Sequence, residues 1–357
     1  MIRLLSYIAL HRMAHRMGLR VPPPFSLTVS LTHRCNLHCR MCSVSTRCST
    51  EMSLEQISRL ASSLGKWPRW ITFSGGEPFL RKDLETIVEL FYWKCRPRVI
   101  NLPTNATIPE TAERAVRIAA SCPETIVVAN ISLDDIGNLH DRIRGVPGTF
   151  ERAVQTLQRI QKARPKNLKV GIHTVISTLN SDRIDRIAPS LRALKPDHYL
   201  TEIAEERWEL QNAPLDVKPD TEKLRGALPL LKADLIQHAG DGFSRISASL
   251  RARYYDMLAV EPEPNNRLLP CYSGRASAHV DADGTVWACC VEGSVMGRLQ
   301  DWDFDFRAMW NRSEAQSVRK RIADRACSCP LANSAFTNIL MHPSGFFKLS
   351  KAWLGMV

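Results

Sequence analysis

No run of apolar residues in this chain approaches the ~20 that a membrane-crossing helix needs. Its opening, MIRLLSYIALHRMAHRMGLR, holds one short apolar run broken by His and Arg, with no small-residue cleavage pattern. No secretory signal is expected from this pattern. Repeats, low-complexity segments, long Lys/Arg tracts and nucleic-acid-binding motifs are missing too, so nucleic acid is not among the expected partners. Acidic residues are in short supply: 36 Asp and Glu face 48 Lys and Arg, for a net charge of +12. Such a balance suits an anionic lipid surface or an acidic substrate, or simply a well-solvated basic exterior.

What is present is ordinary for a globular protein. Hydrophobic residues make up 44% and charged residues 24% of 357 positions, enough for one large domain plus an appendage. The expected location is cytoplasmic. Residues 2–20 put Ile2, Leu5, Ala9, Met13 and Met17 on one stripe and Arg12, Arg16 and Arg20 on another. This is the pattern of a helix lying on the inner face of a membrane, although packing against the protein is the plainer alternative. The same choice applies to the aromatic and lysine-rich end, FFKLSKAWLGMV.

Eleven cysteines are too few for a disulfide scaffold of this length, and they cluster. Cys35, Cys39, Cys42 and Cys48 form one group, and Cys271, Cys289, Cys290, Cys327 and Cys329 another. Cys95 and Cys122 stand apart and read as buried thiols. The spacing C-x₃-C-x₂-C, with no second pair close by, is poor for tetrahedral zinc. Three thiolates on one loop instead suit three irons of a cubane cluster, leaving the fourth iron open for chemistry.

Apolar β-rich runs alternate with helical patterns through the first two hundred residues. Strands are expected at 26–32, 70–73, 99–102, 125–133, 169–176 and 198–203. Ser53 and Gln56 form a capping-box pattern at the start of the first helix between them. The fold class read from this is α/β, a partial (β/α)6 TIM-type barrel, since residues 25–204 fall short of the ~250 of a full eight-unit barrel. Domain boundaries follow: an amphipathic start at 1–24, the barrel at 25–204, a helical connector at 205–262, a small cysteine-rich domain at 263–335 and a tail at 336–357. In the fourth of these, SAHVDADGTVWACC predicts two strands joined by an Asp-Gly turn.

The cysteine motif after the first strand, followed by GGEP after the second, resembles the radical S-adenosylmethionine superfamily. That resemblance implies that Cys35, Cys39 and Cys42 hold a [4Fe–4S] cluster whose open iron chelates S-adenosylmethionine. Reductive cleavage then gives a 5′-deoxyadenosyl radical that abstracts a substrate hydrogen, with the electron coming from a flavodoxin- or ferredoxin-type donor. It further implies that Met41 packs near the adenine, and that Gly75, Gly76, Glu77 and Pro78 receive the methionyl amino group. PTNA at 103–106 is similar to the family's Thr-Asn-Gly turn, with Ala106 in place of glycine, which makes Asn105 a weaker contact. In the segment 131–153, Ser132 would bond the ribose, Arg144 would pair with the methionyl carboxylate and Asp134 would sit near substrate.

The C-terminal cysteines resemble a SPASM or Twitch domain. A full SPASM domain needs more cysteines than are present, so the resemblance implies one auxiliary [4Fe–4S] cluster on Cys271, Cys289, Cys327 and Cys329, with Cys290 as the alternative to Cys289. Only 34 residues precede Cys35. From that we expect neither a cobalamin domain nor a leader-peptide-reading domain, and the expected substrate is a lipid-linked or anionic small molecule. A ribosomal peptide is the runner-up. A structural zinc protein acting as a binding module is the reading from another class.

Overall fold

The computed structural model describes residues 2–17, 20–48, 50–239, 243–260, 269–324 and 331–342. After α1 (Ile2–Met17) come six strand units: β1 (Ser26–Ser30), α2 (Leu54–Leu64), β2 (Trp70–Ser74), α3 (Leu84–Cys95), β3 (Val99–Thr104), α4 (Thr111–Ser121), β4 (Ile126–Ser132), α5 (Gly137–Arg144), α6 (Thr149–Ala163), β5 (Leu168–Ile176), α7 (Ile184–Arg192) and β6 (His198–Ile203). Two long helices follow, α8 (Thr221–Gln237) and α9 (Phe243–Ala259). The C-terminal part holds β7 (Ser277–Val280), β8 (Thr285–Trp287), β9 (Val295–Arg298), α10 (Phe306–Trp310), α11 (Ser313–Ala323) and α12 (Ala332–Met341).

Strands β1 to β6 pair in parallel and in sequence order, as right-handed strand–helix units require. Their runs of Ile, Val and Leu are buried between the sheet and the outer helices, where Ile57, Leu60, Phe91, Ile118, Leu157 and Leu191 are nearly or wholly inaccessible. The capping box of α2 is formed as expected, with Gln56 N donating to Ser53 Oγ and Ser53 N to Gln56 Oε1.

Three features differ from the sequence expectation. Residues 205–220 are not helical apart from one short turn at Ala213–Leu215, so the helical connector begins only at α8. Helix α5 is additional; its eight residues, GNLHDRIR, carry too few apolar positions to announce it. The cysteine-rich segment does not stand off as an independent unit, because β7 pairs in parallel with β1 and its hairpin continues the sheet, in the order β6-β5-β4-β3-β2-β1-β7-β8-β9. Helix α1 packs Ile8 against Phe25, Tyr272 and Met341, yet leaves Leu10, Met13 and Met17 exposed. The end of the chain, including FFKLSKAWLGMV, lies outside the described residues, as do Cys327 and Cys329. No helix among the described residues is long and apolar enough to cross a membrane.

Candidate active site

The cysteine loop leaves the carboxyl end of β1 and is fastened on three sides. Gly76 N donates to Thr32 O at 2.8 Å and Glu77 N to Arg34 O at 2.9 Å, tying it to the GGEP turn. His38 N and Arg40 N donate to Arg144 O and Ile143 O at the end of α5. On the third side Asp281, at the turn after β7, is bonded to His33 Nε2 at 2.8 Å and to Arg47 Nη2 at 2.5 Å. The glycines explain the closeness of this packing. A Cβ on Gly75 would lie 2.2 Å from Thr32 O, one on Gly76 2.2 Å from Arg34 O, and one on Gly145 2.2 Å from His38 O. Gly145 also takes φ 75° at the end of α5, which glycine adopts without steric cost. Sequence reasoning missed Gly145 and His140, whose Nδ1 accepts from Asp134 N at 3.1 Å.

Glu77 is fully enclosed. Its carboxylate accepts from Phe79 N, Thr104 Oγ1 and Asn105 N at 3.1, 2.8 and 2.7 Å. Burial pushes its pKa up to about 7 against those three donors and the nearby Arg144 charge. Asn105 holds Asn36 through its amide at 2.8 Å, and Ala106 adopts φ 57°, the left-handed conformation that glycine takes easily and alanine does not. The departure from the family's glycine therefore preserves the turn at a conformational cost.

Arg144 lies on the cysteine loop, its Nη1 3.8 Å from Cys39 Sγ and its Nη2 2.7 Å from Asp134 Oδ2. Asp134, expected near substrate, is wholly buried, and its other oxygen accepts from Val175 N at 2.9 Å. It is thus the counter-ion behind Arg144 and not part of the cavity wall. Met41 packs with Ile143, Ala204 and Val217 in a small apolar cluster beside the loop. Ser132 ends β4, opposite His173 in the register.

Cys35, Cys39 and Cys42 are half-buried, whereas Cys48 is exposed. Burial pushes the Cys35 thiol up to about 11 and Cys42 up to about 12, and the neighbouring thiols push in the same direction. Three such thiols side by side are unfavourable as thiolates until a cationic centre compensates them. Among the described residues, the only trio of metal-ligating side chains with all donor atoms within 4.8 Å is Glu209, His279 and Cys290. The loop sulfurs are thus spread more widely than the roughly 4 Å separations around a single zinc ion. The softness of three thiolates fits an iron–sulfur cluster.

In the second group, Cys289 lies within electrostatic reach of Cys271, and burial is the main cause that raises its thiol. Cys290 is buried beside Glu209 and Arg207, and both cysteines follow the end of β8. Cys95 and Cys122 are buried thiols, as expected.

Beside Cys289 and Cys290 the sheet encloses a cavity of about 280 Å³. The inward positions of successive strands line it with polar groups: Thr72, Asn101, Asn130, His173, Glu202 and His279. Several are linked across strands, with Asn130 Nδ2 donating to Asn101 Oδ1 at 2.6 Å and His198 Nε2 bonded to Asn130 Oδ1 at 2.8 Å. Gly75 lies at one wall, Cys289 and Cys290 at another, and α9 and α12 close the side left open by the sheet. A hydrocarbon-lined core would not need these groups. The lumen sets these polar groups within a largely apolar lining that includes Trp70, Leu200, Ile246 and Phe336, and Cys289 and Cys290 open onto it.

Cysteine thiols gathered where parallel strands end, beside an enclosed lumen, define an iron–sulfur enzyme working at the mouth of a partial barrel. Comparison with known proteins gives the family. Residues 29–189 match the Radical SAM superfamily, and residues 271–330 match SPASM, an iron–sulfur cluster-binding domain. The chain belongs to the radical S-adenosylmethionine superfamily and carries its SPASM-type auxiliary domain. Its cofactors are therefore a [4Fe–4S] cluster, S-adenosylmethionine and auxiliary iron–sulfur chemistry in the C-terminal domain.

Among its relatives, mycofactocin maturase MftC of Mycolicibacterium smegmatis is 26% identical over 328 residues, 85% of this chain and 75% of that protein. Pre-heme d1 synthase of Dinoroseobacter shibae is 30% identical over 196 residues, 52% of this chain and 45% of the relative. The chain thus spans about half the length of some of the curated relatives it matches. In fold it is similar to Streptococcus suis SuiB bound to precursor peptide SuiA, with a TM-score of 0.62 and 15% identity over 89% of this chain and 70% of that one. The fold is also similar to that of anSMEcpe with bound AdoMet and a peptide, with a TM-score of 0.60 and 14% identity over 94% of this chain and all of the other.

Proposed function

We propose that this chain modifies a ribosomally made peptide, and the small-molecule expectation gives way to that reading. The observation that carries it is the extent of similarity to a maturase. The match to MftC runs through barrel and C-terminal domain alike, whereas that to pre-heme d1 synthase covers about half the chain. A lumen of mixed apolar and polar lining beside Cys289 and Cys290 supports the same reading, since a peptide segment presents both side chains and amides to such a wall.

When bound at Cys35, Cys39 and Cys42, the cluster and S-adenosylmethionine supply a 5′-deoxyadenosyl radical that abstracts a substrate hydrogen. The chain's own residues bind and orient. Gly75, Gly76 and Pro78 shape the turn for the methionyl amino group, and Glu77 keeps acceptor capacity for an ammonium beyond its three internal donors. Arg144, charged and braced by Asp134, faces the methionyl carboxylate. Ser132 would bond the ribose, Asn105 would remain a weaker contact, and Met41 would back the adenine. Cys271, Cys289, Cys327 and Cys329 hold the auxiliary cluster, and a flavodoxin- or ferredoxin-type protein donates the electron.

The test uses anaerobically reconstituted holoenzyme, dithionite and a small precursor peptide encoded beside the gene. A mass change in the peptide with matching 5′-deoxyadenosine is expected. Unchanged peptide, together with turnover of a lipid-linked or anionic small molecule, would reverse the assignment. A second reading concerns α1, whose exposed Leu10, Met13 and Met17 support a contact with anionic lipid. Sedimentation with anionic liposomes should weaken when those three are changed to Ser, and equal sedimentation would remove it.

A further inference from the structure

Helix α9 presents Ile246, Ser247, Leu250 and Arg251 to the cavity, a helical spacing that puts all four on one face. Arg251 is 2% exposed. Its Nη1 donates to the carbonyl of Thr201 on β6, and its guanidinium lies 4.5 Å from the centre of the Phe336 ring. Its Nε is enclosed without any acceptor. Among the described residues no carboxylate lies within ion-pair distance of it. Glu202, on the same wall, is engaged by Arg207 and by His173 at 3.3 Å.

A desolvated N–H without an acceptor is unfavourable. Glu202 is ion-paired with Arg207 and reaches Arg251 only at longer range, and Glu209 lies on the same wall, so what Arg251 offers is its unmatched Nε–H. We propose that Arg251 anchors a carboxylate of the substrate, an inference that rests on the peptide reading above and deepens it. The flat fork of a guanidinium offers two parallel N–H groups to two carboxylate oxygens. With Nη1 committed to Thr201, the Nε edge is the one left to do so. The Phe336 ring, 4.5 Å away, covers one face of the guanidinium.

The test measures thermal midpoints of the reconstituted holoenzyme with four probes. These are N-acetylalanine for a chain-end carboxylate, the α-amide of N-acetylglutamate for a side-chain carboxylate, neutral N-acetylalaninamide and inorganic phosphate, all at matched ionic strength. One carboxylate probe should stabilise the wild type, and which one does so identifies the source. Binding should weaken at least tenfold in Arg251→Gln and partly in Arg251→Lys, which keeps the charge without the fork. Arg253→Gln, on the outer side of the same helix, should behave as wild type. If Arg251→Gln fails to fold, Arg251→Lys carries the comparison. Stabilisation by the neutral amide as strong as by the acids, by phosphate alone, or undiminished in the Arg251 variants would overturn the proposal. A precursor peptide that fails to bind while a carboxylate probe succeeds would remove the peptide reading and leave the anchor standing.

Discussion

Gly76 packs so tightly on the cysteine loop that a single methyl group there would meet the Arg34 carbonyl at 2.2 Å. Overpacking of this kind costs about 1–3 kcal/mol. Gly76→Ala should lower the urea midpoint accordingly and loosen iron retention, measured by iron content after gel filtration. An unchanged midpoint and full iron would show that the turn and the loop are not in register. Glu77 makes a second residue-scale prediction. Its folded pKa, raised to about 7 by burial, exceeds the unfolded value near 4.5. Between those values the folded state holds a proton that the unfolded state has released, so this group's contribution to stability falls as pH rises from about 4.5 to 7. Glu77→Gln should flatten that part of the pH–stability curve; an identical slope would place the titration elsewhere. The glutamate itself was legible from GGEP. Its donors were not, because Thr104 and Asn105 come from the end of the next strand and only the fold brings them near. Asp134 shows the converse: an acid after a strand looks catalytic in sequence, and only the pairing with Arg144 reveals it as a brace.

At the scale of elements, the cysteine loop is clamped to the β7–β8 hairpin through Asp281. Two partners from the loop, His33 and Arg47, hold its carboxyl below the usual range, overcoming the burial that would raise it. A depressed carboxylate contributes stability above its unfolded pKa and loses it as pH falls through the folded value, so this clamp weakens only in acid. Asp281→Ala strands His33 and Arg47 together, and removing one partner of a buried pair costs about 3–5 kcal/mol. Denaturant unfolding should register that loss, and the variant should retain less iron at the loop cysteines. A loss under about 1 kcal/mol would mean the clamp is ornamental, in the range typical of exposed pairs. Strands were the most legible elements, since short β-branched runs bounded by turns have few alternatives. The hairpin was legible for the same reason, through its Asp-Gly turn. Helix α5 was not. It is short, and its first residue is glycine.

The whole molecule joins its two cysteine groups through one sheet. The pairing of β7 with β1 brings Cys289 and Gly75 to walls of the same cavity, a juxtaposition that no spacing in the sequence could reveal. Motifs announced each group separately; only the register between distant strands joins them in one sheet. Replacing Cys271 and Cys289 together should remove about four of about eight irons per chain. The variant should still cleave S-adenosylmethionine but release no modified peptide, read by mass spectrometry. Normal peptide turnover would make the second group structural. The central claim is that Cys35, Cys39 and Cys42 support reductive cleavage of S-adenosylmethionine, and quantifying 5′-deoxyadenosine tests it most directly. The assay incubates reconstituted enzyme with dithionite under anaerobic conditions. Wild type should form 5′-deoxyadenosine and Cys39→Ala none above the enzyme-free background. Equal formation by wild type and a variant with all three cysteines changed to Ala would contradict the account.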